Sequence, residues 1–317
     1  MHAELLTKLK ALGEPTRLRI VTLLLRGELT VSEIMQVLGQ SQPRVSRHLK
    51  LLADAGLCER YPEGGWVFYR LARSRVGERL AALLEEMAGS DDPEIARDLA
   101  RLNEVRRLRA ETAQKYFEVA AEQWAKIRGL HFSEEAVEAG MLSAAGDRHF
   151  RLHLDVGTGT GRMLEIFADR ADDGIGVDLS REMLTVARSK MSEAGLANRL
   201  VRQADATALP LETGSADLIT VHQVLHYIVQ PRRALAEWAR VLAPGGLLLL
   251  ADFETHGYED FRAEYHHEHL GFDQAQLRGW LEEAGLKPVS VQPLQAPADG
   301  GGLTVLICVA TKEGEAG

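Results

Sequence analysis

The sequence predicts a multi-domain chain, in which a small α+β head precedes a larger α/β body. Three observations predict it. The chain has 317 residues, 45% hydrophobic and 26% charged, which is enough for two ordinary domains that each bury a core. The charge is divided between the halves: residues 1–75 hold 12 Lys/Arg and 7 Asp/Glu, net +5, and the rest holds 25 and 39, net −14. The hydrophobic pattern also changes. It has helical spacing over the first 55 residues, passes into a hairpin, and from residue 151 alternates strand with helix, as in a parallel sheet covered on both faces.

In the head, residues 3–12 are apolar at helical spacing. Pro15 suits a first helical turn, and Leu18, Val21, Leu24 and Leu25 continue a helical face. Thr30 is placed to cap a helix over 31–38, with Glu33 as the partner of a capping box and Gly39 as its end. Ser41 is placed to cap a helix over 42–55, with Val45, Leu49, Leu52 and Ala53 pointing inward and Gly56 as the stop. "LCERY", "PEGG" and "WVFYRL" then read as two strands around a turn, and residues 75–88 as an amphipathic helix. Asp91, Asp92 and Pro93 open a long helix over 94–128 with Ile95, Leu99, Leu102 and Val105 on one stripe.

In the body, strands and helices alternate from "RLHLDV" at 151–156 through "GIGVDL", "RLVRQAD", "ADLITVHQVL" and "GGLLLLADF". The last two strands, "KPVSVQPL" and "LTVLICVAT", are joined by a Pro/Gly-rich loop and are expected as an antiparallel pair. No apolar run approaches the roughly 18 residues of a membrane span, so no membrane partner is expected. The N-terminus lacks the pattern of a signal peptide, and Cys58 and Cys308 read as buried thiols of a reducing, cytoplasmic protein.

A basic head on an acidic body suits an encounter between the head and a polyanion. Two helices followed by a two-stranded hairpin have the layout of a winged helix-turn-helix, whose second helix enters the major groove of double-stranded DNA. Gln42, Arg44, Ser46, Arg47 and His48 lie in the first two turns of that helix, where side chains reach base edges. Lys50 and Arg60 are placed for phosphates.

"LGEPTRLRIVTLL", "GELTVSEI" and "SQPRVSRHLKLLADAGL" resemble the ArsR/SmtB family of bacterial repressors over about residues 5–90. The resemblance implies a homodimer on a near-palindromic operator, paired here through Leu5, Leu9, Leu80, Leu83, Leu84 and Met87. Metal-sensing members carry two cysteines where Thr30 and Ser32 stand, and the last helix has no His, so no metal is expected in the head. The plainer alternative is a winged helix used only for dimerisation or protein contact.

In the body, "LDVGTGTG" follows a strand and opens a helix, the setting of a ligand crevice. Arg162 stands where a dinucleotide fingerprint needs its third glycine, and no P-loop G-K-S/T occurs. What remains is Asp155, Gly157, Thr158, Gly159 and Gly161, followed by Asp178 at the next strand end, with Leu179 beside it. A carboxylate there suits ribose hydroxyls, and Asp205 and Ala206, after the third strand, suit an adenine. These motifs resemble the class I S-adenosylmethionine (SAM) methyltransferases, of the quinone-biosynthesis type, over about residues 110–312. The resemblance implies a seven-stranded Rossmann-like fold and SAM or S-adenosylhomocysteine as the bound molecule, with His222 and Gln223 lining the pocket. It also makes "KYFEVAAEQW" a lid carrying Tyr116, Phe117 and Trp124, although those aromatics equally suit core packing.

Methyl transfer needs the acceptor positioned and, for some acceptors, a base. His222, after the fourth strand, and His267 are the candidates, the latter from the segment "DFETHGYEDFRAEYHHEHLGF" that also holds His256, His266 and His269. The plainer reading of that segment is a partly solvated helix with one His packed inward. A metal held by His266 and His269 with Glu264 or Glu268 is disfavoured by loose spacing, and two isolated cysteines disfavour arsenic as the acceptor. The expected division is 1–90 for DNA binding and dimerisation, 91–130 for a helical linker and SAM lid, and 131–317 for the methyltransferase domain. Three functions fit: an enzyme for a small-molecule acceptor that also regulates transcription, a silent SAM- or S-adenosylhomocysteine-responsive repressor, and an enzyme whose head only dimerises.

Overall fold

The computed structural model describes residues 2–63, 66–72, 79, 83, 92–128, 133–294 and 303–314. They form two compact units, Met1–Thr112 with Ser192–Ala197, and Ala113–Met191 with Asn198–Gly317.

The first unit begins with α1 (His2–Leu12) and α2 (Pro15–Leu24). The Glu14 carboxylate accepts from the Arg17 N–H at 2.9 Å and caps α2, with Pro15 in the first turn. After β1 (Leu29–Thr30), the expected capping box starts α3 (Val31–Leu38): Glu33 N–H donates to Thr30 Oγ1 at 3.2 Å, and Thr30 N–H donates to Glu33 at 2.8 Å. Gly39, at φ 65°, ends α3 in the left-handed conformation. Ser41 stands at the start of α4 (Gln42–Asp54), but its side chain makes no cap. Pro43 removes one of the two N–H groups it could accept from, and the Arg44 N–H bonds the Ser41 carbonyl instead.

β2 (Cys58–Glu63) and β3 (Trp66–Leu71) complete a three-stranded sheet in the order β1-β3-β2. The core joins Ile20, Leu23, Ile34, Leu49 and Leu52 to Leu102 and Val105 of α5 (Pro93–Arg128). The expected linker is therefore corrected at its start. The apolar stripe of α5 is core to the head, and Arg19 clasps Asp98 through two hydrogen bonds of 2.6 and 2.8 Å. The division between the units falls inside α5, not at residue 90. Most of the helix expected over 75–88 lies outside the described residues, including Leu80, Leu84 and Met87.

The second unit holds α6 (Glu134–Ala144) and a seven-stranded sheet: β4 (Phe150–Val156), β5 (Ala171–Asp178), β6 (Arg199–Gln203), β7 (Ala216–His222), β8 (Leu242–Phe253), β9 (Leu286–Pro293) and β10 (Val305–Lys312). The order is β6-β5-β4-β7-β8-β10-β9. The first five strands in that order pair parallel, and β10 runs antiparallel between β8 and β9. Between β4 and β7 the winding of the sheet reverses, which opens a crevice at the carboxyl ends of these strands.

α8 (Arg181–Glu193), α9 (Pro231–Val241) and α11 (Gln274–Glu283) flank the sheet, and the short helices α7 (Arg162–Ile166) and α10 (Asp260–Glu264) follow β4 and β8. The helix opened by the glycine loop is short. Phe167 leaves helical geometry at ψ 13°, and a 3-10 turn over Ala168–Arg170 leads into β5. Trp238, Leu154, Val221 and Leu250 fill one side of the sheet, and Phe150, Phe167, Phe253 and Met141 fill the other. Among the described residues no helix is long and apolar enough to cross a membrane.

Candidate functional site

The residues that follow the parallel strands of the second unit enclose one cavity of about 930 Å³. Its floor is the glycine loop after β4. Gly157 (φ 68°) and Gly159 (φ 51°) are left-handed, and a Cβ at Gly157 would overlap the Val224 side chain, so only glycine fits. Gly161, expected with them, does not line the cavity. It is left-handed at φ 85°, and a Cβ there would sit 3.3 Å from the Ala187 Cβ, so its role is the close approach of the loop to α8.

Asp178 ends β5 and is held from two sides: its Oδ2 accepts from the Gly159 N–H at 2.9 Å and its Oδ1 from the Ser180 N–H at 2.8 Å. Burial pushes its carboxyl above the usual range against those two bonds. Leu179 beside it is 66% exposed at the rim. Asp205, by contrast, is exposed, and the Thr207 N–H and hydroxyl, at 2.7 and 2.8 Å, hold its carboxyl below the usual range. The Ala206 carbonyl accepts from the Trp238 indole at 2.9 Å, which fixes the turn after β6.

β7 ends in His222, and Gln223 follows in the left-handed region at φ 56°. This is why the strand stops short of the expected 225, and such backbone strain in a non-glycine residue concentrates at functional sites. Burial pushes the His222 imidazole below its ordinary pKa, so the ring is neutral at neutral pH. Asp155 Oδ2, Thr158 Oγ1, His222 Nε2 and Gln223 Nε2 are all buried, all line the cavity, and have no hydrogen-bond partner. Buried polar atoms are otherwise almost always paired. Four together, donors and acceptors mixed, fit a polar ligand with both kinds of group.

Other expected residues are placed elsewhere. His267 is 3% exposed and outside the cavity lining, its ring 4.1 Å from that of His226 and 4.9 Å from that of Phe261. Burial among aromatics pushes it down to about 3, so it is a packed, neutral imidazole and not a base at this cavity. His269 bonds the Ile228 carbonyl at 3.1 Å, and His266 is exposed. The side chains of Tyr116, Phe117 and Trp124 lie outside the described residues.

Sequence reasoning missed the buried hydrogen-bonded pair of His226 and Asp252, 2.8 Å between Nδ1 and Oδ1, with side chains 2% and 0% exposed. The signal was Asp252 itself, because a carboxylate inside "GGLLLLADF" survives burial only when paired. Tyr227 next to it lines the cavity.

In the first unit, α4 presents Gln42, Arg44, Arg47 and Lys50 exposed, with Ser46 half-buried. Arg60 on β2 is also exposed. Arg44, Arg47, Lys50 and Arg60 have no hydrogen bond or ion pair among the described residues, so their charge is available to a polyanion. His48 turns away from this row, with its Nδ1 3.5 Å from the Glu14 carboxylate that caps α2.

Comparison with known proteins agrees with both halves. Residues 154–250 match the family described as a methyltransferase domain, and residues 14–60 match the bacterial regulatory proteins of the arsR family. A demethylmenaquinone methyltransferase of Clavibacter sepedonicus is 31% identical over 187 residues, which cover 51% of this chain and 74% of that protein. One from Renibacterium salmoninarum is 37% identical over 112 residues, 35% of this chain, and the chain spans only 45% of that relative. A solved phosphoethanolamine N-methyltransferase of Haemonchus contortus, in complex with phosphomonomethylethanolamine and S-adenosylhomocysteine, shares the fold with a TM-score of 0.50 at 17% identity, over 56% of this chain and 52% of that one. The chain belongs to the class I SAM-dependent methyltransferase family, in its quinone-biosynthesis-like group, and carries an arsR-family helix-turn-helix as its head.

Proposed function

We propose that the chain is a DNA-binding transcriptional regulator that binds SAM in the cavity of its second unit and transfers the methyl group to a small molecule. The observation that carries this reading is the convergence of four buried, unpartnered polar atoms with Asp178 and Asp205 on one cavity at successive strand ends. In this assignment Asp178 takes the ribose hydroxyls and Asp205 the adenine amine. The backbone of Gly157, Thr158 and Gly159 lies against the cofactor, with Leu179 and Ala206 as walls.

Bound SAM supplies a methyl group already activated on a sulfonium. The protein's part is to orient the acceptor and to hold or accept a proton. His222 is suited to that, being neutral with Nε2 free of protein partners beside the cavity. The volume of about 930 Å³ is near the top of the usual range of about 300–1,000 Å³, which favours space for a second molecule.

In the head, Gln42, Arg44, Ser46 and Arg47 are assigned to base edges and Lys50 and Arg60 to phosphates of a double-stranded operator. Leu5, Leu6 and Leu9, exposed by 42, 52 and 49% along α1, supply the face on which a homodimer forms. With no membrane-spanning helix among the described residues, we place the protein in the cytoplasm.

One observation favours a second reading, in which SAM or S-adenosylhomocysteine is a signal. The Arg109 guanidinium on α5 bonds Glu33, which also closes the capping box of α3, so a shift of α5 acts on the helix-turn-helix directly. The test is calorimetry with SAM, together with gel shifts of the protein's own upstream DNA at fixed salt, with SAM, with S-adenosylhomocysteine and with neither. SAM binding in the range of other cofactor sites and a DNA shift are expected. Absence of SAM binding overturns the reading, and identical shifts in all three lanes remove the signal role.

A further inference from the structure

Beneath the glycine loop, three polar side chains cross the core of the sheet in line. His153 and Asp155 stand two apart on β4 and share a face, and Thr220 of β7 is paired in register with Asp155. His153 Nε2 is 2.7 Å from Thr220 Oγ1, which in turn donates to Asp155 Oδ1 at 2.7 Å. The three are 0%, 0% and 1% exposed. Sequence reasoning assigned Asp155 to the cofactor and gave His153 and Thr220 no role.

Counting hydrogens gives the chain a direction. Thr220 has one hydroxyl hydrogen. If Asp155 is a carboxylate, that hydrogen goes to Asp155, and His153 must be the Nε2–H tautomer donating to Thr220. His153 Nδ1, which has no partner, is then left as a bare acceptor. If Asp155 is protonated on Oδ2, the chain keeps its direction but Thr220 donates to a neutral oxygen, a weaker bond than one to a carboxylate; if it is protonated on Oδ1, the chain reverses: Asp155 donates to Thr220, Thr220 donates to Nε2, and the imidazole hydrogen moves to Nδ1. An unpaired N–H is then buried against the Phe167 ring, whose centre is 5.2 Å from that of the imidazole. Orphaned buried donors are the rarer and more costly case.

We propose that His153, acting through Thr220, biases Asp155 toward the carboxylate in the ligand-free cavity, and so makes the site discriminate the sulfonium cofactor from its neutral thioether product. The proposal rests on the cofactor reading above. It matters because burial sets Asp155 near balance: desolvation, aided by Asp178 at the end of β5, pushes its carboxyl up to about 7 while the hydroxyls of Thr158 and Thr220 pull it down. His153 itself is pushed down to about 3 by burial and by Arg199 on β6, so it stays neutral throughout.

A carboxylate among the cavity's lining residues attracts the extra positive charge of SAM, and a neutral acid does not. Other ionisable groups face the same cavity: Glu134 and Glu138 on α6, Arg162 on α7 and Lys190 on α8. Asp178 at the end of β5, Asp205 after β6, His222 at the end of β7, Tyr227 beyond it and Arg233 on α9 complete the set. They are common to the wild-type chain and a His153 variant, so the difference between the two isolates the relay.

The test is calorimetric affinity of the full chain for SAM and for S-adenosylhomocysteine at pH 5.5 to 7.5. In the wild type the preference for SAM should fall by about an order of magnitude as pH drops through the Asp155 titration. His153→Leu should move that fall to higher pH, by up to about one unit, and Thr220→Val should move it in the same direction. His153→Gln, whose amide N–H still donates to Thr220, should restore the wild-type profile.

A second measurement needs no variant. Calorimetry of the wild type near pH 7, in two buffers of different ionisation enthalpy, should show more proton release with SAM than with S-adenosylhomocysteine. Equal proton release, or a preference that does not change with pH, overturns the inference while leaving the cofactor site standing. So does a His153→Leu profile identical to the wild type. Failure of both ligands to bind at any pH overturns the cofactor reading itself.

Discussion

Asp178 is held in tension. Two backbone N–H groups orient its carboxylate, while burial opposes its charge. A group placed at that cost without a ligand is stabilised when hydroxyl donors arrive, which is why the site assignment turns on it. Asp178→Ala should weaken SAM binding by about 1–3 kcal/mol, the range for lost hydrogen bonds to a charged group. Because the same carboxylate ties the loop at Gly159, the folded state of the variant has to be checked by circular dichroism. A folded variant with unchanged calorimetric affinity would place the ribose elsewhere. His267 makes the opposite case. Its residue type suggested a base, but a ring inside a cage of His226, Phe253 and Phe261 has neither access nor basicity.

At the scale of elements, the informative junction is α3 with α5. Glu33 accepts from the backbone and hydroxyl of Thr30 and also from Arg109. Thr30→Ala should cost about 1 kcal/mol, as for other lost caps. Arg109→Ala should cost about 1–2 kcal/mol, between an exposed and a buried pair, since the side chains are 13% and 18% exposed. Both act through one carboxylate, so urea denaturation of the single and double variants should show a non-additive cycle. Strict additivity would mean that α5 and the cap are independent, and would weaken the signal reading.

For the whole molecule, the exposed basic row of α4 and the cavity behind the glycine loop belong to different units, so variants in one should leave the other intact. Replacing Arg44 and Arg47 together by Ala should abolish specific operator binding while SAM affinity stays at the wild-type value. Replacing Lys50 should instead lower affinity for all sequences and flatten the salt dependence by about one charge. Leu5→Glu with Leu9→Glu should give a monomer by light scattering, because two charges then oppose burial of the α1 face. A dimer that survives both changes would put the interface elsewhere.

Much of this was legible before any coordinates, for physical reasons. The capping box is a three-residue spacing, and the glycine loop follows its strand directly. The interval from Gly161 to Asp178 is one short helix and one strand. Local spacing determined these, so it determined both fold classes, the loop that floors the cavity, and the exposed row on α4. The tertiary structure alone decided the rest. His153 meets Thr220 across 67 residues of sequence. The stripe on α5 belongs to the core of the head, and His226 had its partner in Asp252 rather than in the histidine segment after β8. No periodicity encodes which face of a helix finds which neighbour, or which strand is inserted beside which. Those contacts exist only once the core has closed, and burial then sets whether a histidine is a base, a relay or packing.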